Sequence, residues 1–135
     1  MKRKNKLAQS AIEFLILVGA VLFFIIIFIY AVQSNITGKV VEEINIAIKE
    51  IAFTLQDEIN LAAESVDGYY REFKLPEKAL NKDYEISIID GFVHVKTFDE
   101  KYALSLPIQD VVGQPKVGLN AIKKENGTIY LNIFE

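Results

Sequence analysis

The feature that most constrains this chain is Phe14 to Val32, 19 consecutive residues without a charge and rich in Phe, Leu and Ile. As a helix that run is about 28 Å long, which matches a bilayer hydrocarbon core of roughly 30 Å. As a core helix it would need protein on every side, and 135 residues cannot supply that cover. The run therefore reads as a membrane span. Lys2, Arg3, Lys4 and Lys6 precede it, and basic flanks stay on the cytoplasmic side, so the remainder is expected outside the membrane. A secretory signal would have a shorter apolar stretch ending in small residues, a pattern that Ala31-Val32-Gln33 imitates poorly. With no cysteine, the external part has neither a disulfide staple nor a thiolate metal site.

Glu13 is the exception at the mouth of the run. An unpaired carboxylate there costs several kcal/mol or must be neutralised, unless it stays among headgroups or at the helix start, where the dipole favours an anion. Its neighbours give it a context. Lys2-Arg3-Lys4-Asn5-Lys6-Leu7-Ala8 followed by Gln9-Ser10-Ala11-Ile12-Glu13-Phe14-Leu15-Ile16-Leu17 resembles the class III signal peptide of archaeal type IV pilin-like proteins. The resemblance covers the leader and the helix only. It implies that a prepilin peptidase cuts between Ala8 and Gln9 on the cytoplasmic side and that the hydrophobic segment is retained. The pattern falls on Gln9, Glu13 and Leu17, with Ala11 where serine is common. It also implies a role for Glu13: the amine created on Gln9 would pair with Glu13 of a neighbouring subunit inside an apolar bundle. Losing the leader would change the charge balance from 15 basic against 18 acidic to 11 against 18, near −7, which argues against a nucleic-acid partner.

Beyond the span, Val41, Ile44, Ile48, Ile51, Leu55, Ile59, Ala62 and Val66 recur at three- and four-residue steps with acidic residues between them. This predicts an amphipathic continuation of the helix, possible loosening at Gly38 aside, giving a rod on the order of 80 Å from Ala11 to Val66. Ile46 and Phe53 project from the opposite side. They are either scattered exposed hydrophobes or contacts to neighbouring subunits in an assembly.

After Asp67-Gly68 the period changes to two. Tyr84–Ile89 and Phe92–Phe98 flank Asp90-Gly91, a hairpin signal that sets Ile88 opposite Val93, Ile86 opposite Val95, Tyr84 opposite Thr97, Ser87 opposite His94 and Glu85 opposite Lys96. Tyr102–Ile108 reads as a third strand, and Asn126-Gly127 joins two more, about Leu119–Lys124 and Thr128–Phe134. The expected fold is α+β: a long N-terminal helix against a small antiparallel sheet of four or five strands. Its parts would be a leader at 1–8, a hydrophobic assembly helix at 9–34, an amphipathic continuation at 35–67 and an extracytoplasmic β domain at 68–135.

Enzymatic readings find little support. The single histidine, His94, lies on the polar face of a strand, where Ser87 opposite it would lack a pocket and oxyanion donors. No calcium loop occurs, Gly113, Gly118 and Gly127 do not form a phosphate loop, and no cofactor, metal or small-molecule substrate is expected. Two sequons, Asn126-Gly127-Thr128 and Asn35-Ile36-Thr37, are glycosylation candidates, Asn126 being the more accessible. The expected function is a major or minor subunit of a surface filament serving attachment. Its partners would be the membrane, the prepilin peptidase, the pilus assembly platform and other pilins or further copies of the chain. The alternatives are a non-polymerising component of an assembly or secretion complex, and an uncut single-pass anchor with an external binding domain.

Overall fold

The computed structural model describes residues 2–133, with side chains described from Gln9 onward other than that of Asn35. Met1 of the leader and Phe134 of the last expected strand lie outside the described residues, as do the side chains of Ala8 and Asn35. Helix α1 runs Lys2–Glu64 and includes Gly38 without a break. The chain divides into two compact units, Met1–Val40 and Val41–Glu135.

The first unit is helix alone. Its apolar window has a mean hydropathy of 3.2 and none of it is buried, so by length and composition the segment can cross a membrane. The Thr37 hydroxyl is accommodated locally, Oγ1 donating to the Gln33 carbonyl one turn back at 3.0 Å.

In the second unit the rest of α1 buries Ile44, Ile48, Ile51, Ala52, Leu55, Ile59 and Ala62, a stripe at helical spacing. The stripe is shorter than expected at both ends, because Val41 and Val66 are exposed. Val66 fails because the helix has already ended at Glu64. The helix has no basic residue in its own last turn. Lys124 supplies one from a strand, donating from Nζ to the Ala63 carbonyl at 2.6 Å and to the Ser65 carbonyl at 2.8 Å. Gly68, at φ 94°, then turns the chain back.

Seven strands follow: β1 (Tyr70–Leu75), β2 (Tyr84–Ile89), β3 (Phe92–Thr97), β4 (Ala103–Pro107), β5 (Val112–Gly113), β6 (Gly118–Glu125) and β7 (Thr128–Leu131). The α+β class is as the sequence indicates. The strands form two sheets, ordered β1-β6-β7-β5 and β2-β3-β4, in place of one sheet of four or five. The additional strands are β1, charged at three of its six positions, and β5, two residues long and parallel to β7. Neither presents a run of alternating apolar residues long enough to read as a strand. Both sheets contribute to one core with the helix stripe, through Phe73, Leu75, Ile122, Ile129 and Leu131 on one side and Tyr84, Ile86, Val93 and Val95 on the other.

The β2–β3 register is the expected one at all five positions named above. Asp90 and Gly91 have φ of 53° and 76°, and Asn126 and Gly127 have 50° and 76°. Both pairs occupy the left-handed region that two-residue hairpin turns demand. The sheets are joined by a side chain: Gln114 accepts from the Ile88 amide at 2.8 Å and donates to the Ile88 carbonyl at 2.9 Å, completing the rung that a neighbouring strand would supply. Asn120, 1% exposed, is fully satisfied, accepting from Lys116 N and Asn132 Nδ2 while donating to the carbonyls of Lys116 and Gly118.

Candidate assembly surfaces

The first candidate surface is the N-terminal segment. From Gln9 the helix places Gln9 and Glu13 on one face four residues apart, where Gln9 Nε2 donates to Glu13 Oε1 at 3.2 Å. Leu17 continues that face and is exposed. From Phe14 to Tyr30 every large apolar side chain is exposed. A surface this apolar is long enough, and apolar enough, to cross a membrane. Glu13 therefore sits where a polar helix end passes into a segment that rejects charge.

The second is the outward face of α1 in the second unit. Ile46 is 48% exposed and Phe53 41% exposed, opposite the buried stripe and seven residues apart, so they lie along one line of the helix. Glu43, Glu50, Asp57 and Glu64 recur at the same seven-residue step and are exposed beside them. The two hydrophobes, with Leu61 further along at 41% exposure, are thus scattered knobs on an acidic face. Among the described residues nothing in the chain covers them.

The third is the outer face of β2-β3-β4. Ser87 stands opposite His94 as the register requires, but the hydrogen bond of His94 runs the other way: its Nδ1 meets Ser105 Oγ on β4 at 2.6 Å. Ser87, His94 and Ser105 form a row across an open sheet, with the Phe92 ring 6.4 Å from the imidazole. Lys96 reaches Glu85 at 3.6 Å, the expected cross-strand pair, and Glu100 at 3.2 Å, and these two carboxylates, Glu100 foremost, raise the Lys96 pKa. The pairs are exposed and stabilise little. Among the described residues no group of three His, Cys, Asp or Glu side chains is placed to hold a metal ion.

Asn126 is exposed at the apex of the β6–β7 turn, and the Gly127 amide beside it donates to Asp67 Oδ1 at 2.9 Å. The acceptor amide of that sequon thus projects from a braced turn.

Two surface groupings escape a reading of the sequence. Lys82 pairs with Asp99, and Thr97 Oγ1 donates to the same carboxylate, holding the Asp99 pKa down at about 2. The Lys82 bond dominates that shift. Next to this pair, Leu80 and Phe98 are exposed on adjoining loops. Single apolar residues in charged loops carry no periodicity, so no sequence signal finds them. Family models, curated proteins and solved structures were each compared with the chain, and none matches it.

Proposed function

We propose that the chain is a precursor of an archaeal type IV pilin-like subunit, major or minor, of a surface filament serving attachment. The observation that carries this reading is an apolar helix segment with no internal cover, opened by Gln9 and Glu13 on one face. The architecture that follows, a helix stripe under a small β layer, is compatible with a pilin-like subunit.

On this reading the peptidase hydrolyses the Ala8–Gln9 bond and leaves a primary amine on Gln9. That amine carries a positive charge at neutral pH and lies at the end of a helix that already places Glu13 one turn away. Within a bundle of such helices, Glu13 of one subunit pairs with the amine of the next. Both charges are then compensated in the low-dielectric interior, where either alone would be costly. Pairing between subunits also fixes the axial offset between helices, which a smooth apolar surface cannot do. The acidic outer domain remains hydrated, and its strands form the displayed face.

N-terminal sequencing of protein from the native membrane or sheared surface fraction tests this directly. A mature terminus at Gln9, free or cyclised, supports it. An intact leader leaves an anchored external domain and refutes processing. With processing established, Glu13→Ala is expected to be cut normally but to be lost from filaments; normal incorporation would refute the pairing role.

A further inference from the structure

We infer that the end of the second unit carrying Leu80 and Phe98 is a lipid-docking tip, whose two apolar side chains enter the headgroup layer of the bilayer. This rests on residues 14–32 spanning a membrane, and applies to the chain in the bilayer, before any assembly.

Leu80 is held in an unfavourable conformation for no internal gain. It opens a two-residue turn closed by the Ala79–Lys82 bridge, with both backbone hydrogen bonds formed, and its φ is 58°. Glycine is the natural residue there, because a side chain at that φ is strained. Burial is the usual compensation, yet Leu80 is 45% exposed. Phe98, on the loop after β3, is 68% exposed, and its amide donates to the Asp83 carbonyl at 3.2 Å, tying the two loops together. Where the two loops meet lies an open cavity of about 260 Å³ lined by Asn81, Lys82, Asp83, Thr97, Phe98 and Asp99. A strained residue and an exposed aromatic on two loops tied together point to an apolar partner outside the unit.

The charges around them favour a headgroup layer over an oppositely charged protein face. Lys82 is paired with Asp99, Lys78 with Asp83 at 3.3 Å and Lys96 with Glu100 at 3.2 Å. The rim is therefore polar but nearly neutral, and lysine stems can lie along the apolar layer with their charges in water. Docking by such a tip depends on apolar insertion and not on anionic lipid.

Connectivity supplies the bilayer. Strand β1 returns along α1, with Arg71 Nε 3.3 Å from Glu58. The four further residues to Leu75, at about 3.3 Å each, run back past roughly nine helical residues, to about Lys49. The loop carrying Leu80 thus lies at the end of the unit where α1 enters it at Val41. Only the eight residues 33–40 separate that entry from the apolar run, and even fully extended they reach roughly 29 Å. So short a tether permits this end of the unit to meet the surface of a bilayer that residues 14–32 span.

The chain has no cysteine, so Leu80→Cys, Phe98→Cys, Phe24→Cys and Asn126→Cys each give one site for a nitrobenzoxadiazole label. Full-length protein is reconstituted in phosphatidylcholine vesicles, with and without phosphatidylglycerol, and quenched by lipid carrying a doxyl group near the headgroup. Labels at 80 and 98 are expected to emit to the blue of the label at 126 and to quench several-fold more, equally in both lipid mixtures. Leu80→Gly is expected to raise the unfolding midpoint while reducing quenching at 98, which a merely structural role for Leu80 would not produce. Quenching at 80 and 98 no greater than at 126, while the label at 24 is quenched, overturns the inference. A blue shift that disappears when the protein is diluted in lipid assigns the tip to a second copy and also overturns it. An unquenched label at 24 refutes the span itself, and the docking tip with it.

Discussion

Lys124→Met removes one charge and tests how the helix end is held. The methionine keeps most of the lysine stem, and the backbone bonds from Gly68 N to the Lys124 carbonyl and from Lys124 N to the Tyr69 carbonyl are unaffected. What is lost are the two Nζ bonds to the carbonyls of Ala63 and Ser65 and the favourable charge at the helix C-terminus. A hydrogen bond to a charged group contributes roughly 1.5–3 kcal/mol and the dipole about 0.3–1 kcal/mol. Water reaches this half-buried site, and the freed side chain regains entropy, so the net loss should be about 2 kcal/mol. For a unit of this size that is a fall in midpoint of about 8–16 °C. The control is Lys123→Met: Lys123 points to the other face, pairs with Glu125 at 3.1 Å and lies 5.3 Å from the Tyr130 ring centroid. Its loss should cost only about 0.5 kcal/mol. Thermal unfolding of the full chain in detergent, followed by tyrosine near-ultraviolet circular dichroism, reads both. Midpoints for the two variants within about 2 °C of each other would refute the capping argument.

Replacing Ile46 and Phe53 together with serine should change stability by no more than about 0.5 kcal/mol each, because both lie outside the core. If they contact neighbours, filament yield falls, and filaments of unchanged stability refute that role. The Asp99 carboxyl, held at about 2 against an ordinary 3.8, contributes stability that is complete above the ordinary value and is lost as pH falls through about 2. An acid titration of unfolding should show this decline in the native chain and a smaller one in Asp99→Asn; identical profiles would remove Asp99 from the account. Glycan at Asn126 would appear in the intact mass of protein from the native cell and vanish in Asn126→Gln, whereas an unmodified mass would rule it out.

What could be read in the sequence follows the strength of local signals. The β2–β3 hairpin is legible to the residue because Asp90-Gly91 allows one register and both strands alternate cleanly. Strand β6 is not: its inward positions are Asn120, Ile122 and Lys124, so two of the three look like surface residues. Asn120 is buried because four hydrogen bonds satisfy it, three with the backbone of Lys116 and Gly118 just before it and one from Asn132 on the far side of the β6–β7 hairpin, and Lys124 is half-buried because its charge meets the helix end. An asparagine and a lysine read as solvent-facing by type alone, and for Lys124 the helix-end partners lie about sixty residues away in sequence. The same limit hides Gln114, whose amide takes the place of a strand. At the N-terminus, Gln9 and Glu13 are conspicuous because an apolar segment follows them, whereas Leu17 is singled out only by the resemblance of the motif. Ser105 goes unread as the partner of His94 for a simple cause: a two-strand register names only one of the strands beside β3.

The two halves of the helix then contribute differently to the proposed assembly. Along the outward face of α1, Glu43, Glu50, Asp57 and Glu64 form a line of like charges seven residues apart, so the spacing between successive carboxylates is about 10 Å, close to the screening length at physiological salt. Two copies brought together along this line would repel one another. The knobs beside it, Ile46 and Phe53, offer at most about 1–2 kcal/mol each when covered, which does not hold subunits together but does favour one relative placement over others. Cohesion therefore has to come from residues 14–32, whose apolar surface is large and featureless, and placement from the few sites that are neither: Glu13 at one end, and the two knobs among carboxylates at the other. On the proposed reading, the acidic outer face would disfavour association by that face before the apolar segments meet, and strength of association and its register would fall to different parts of one helix.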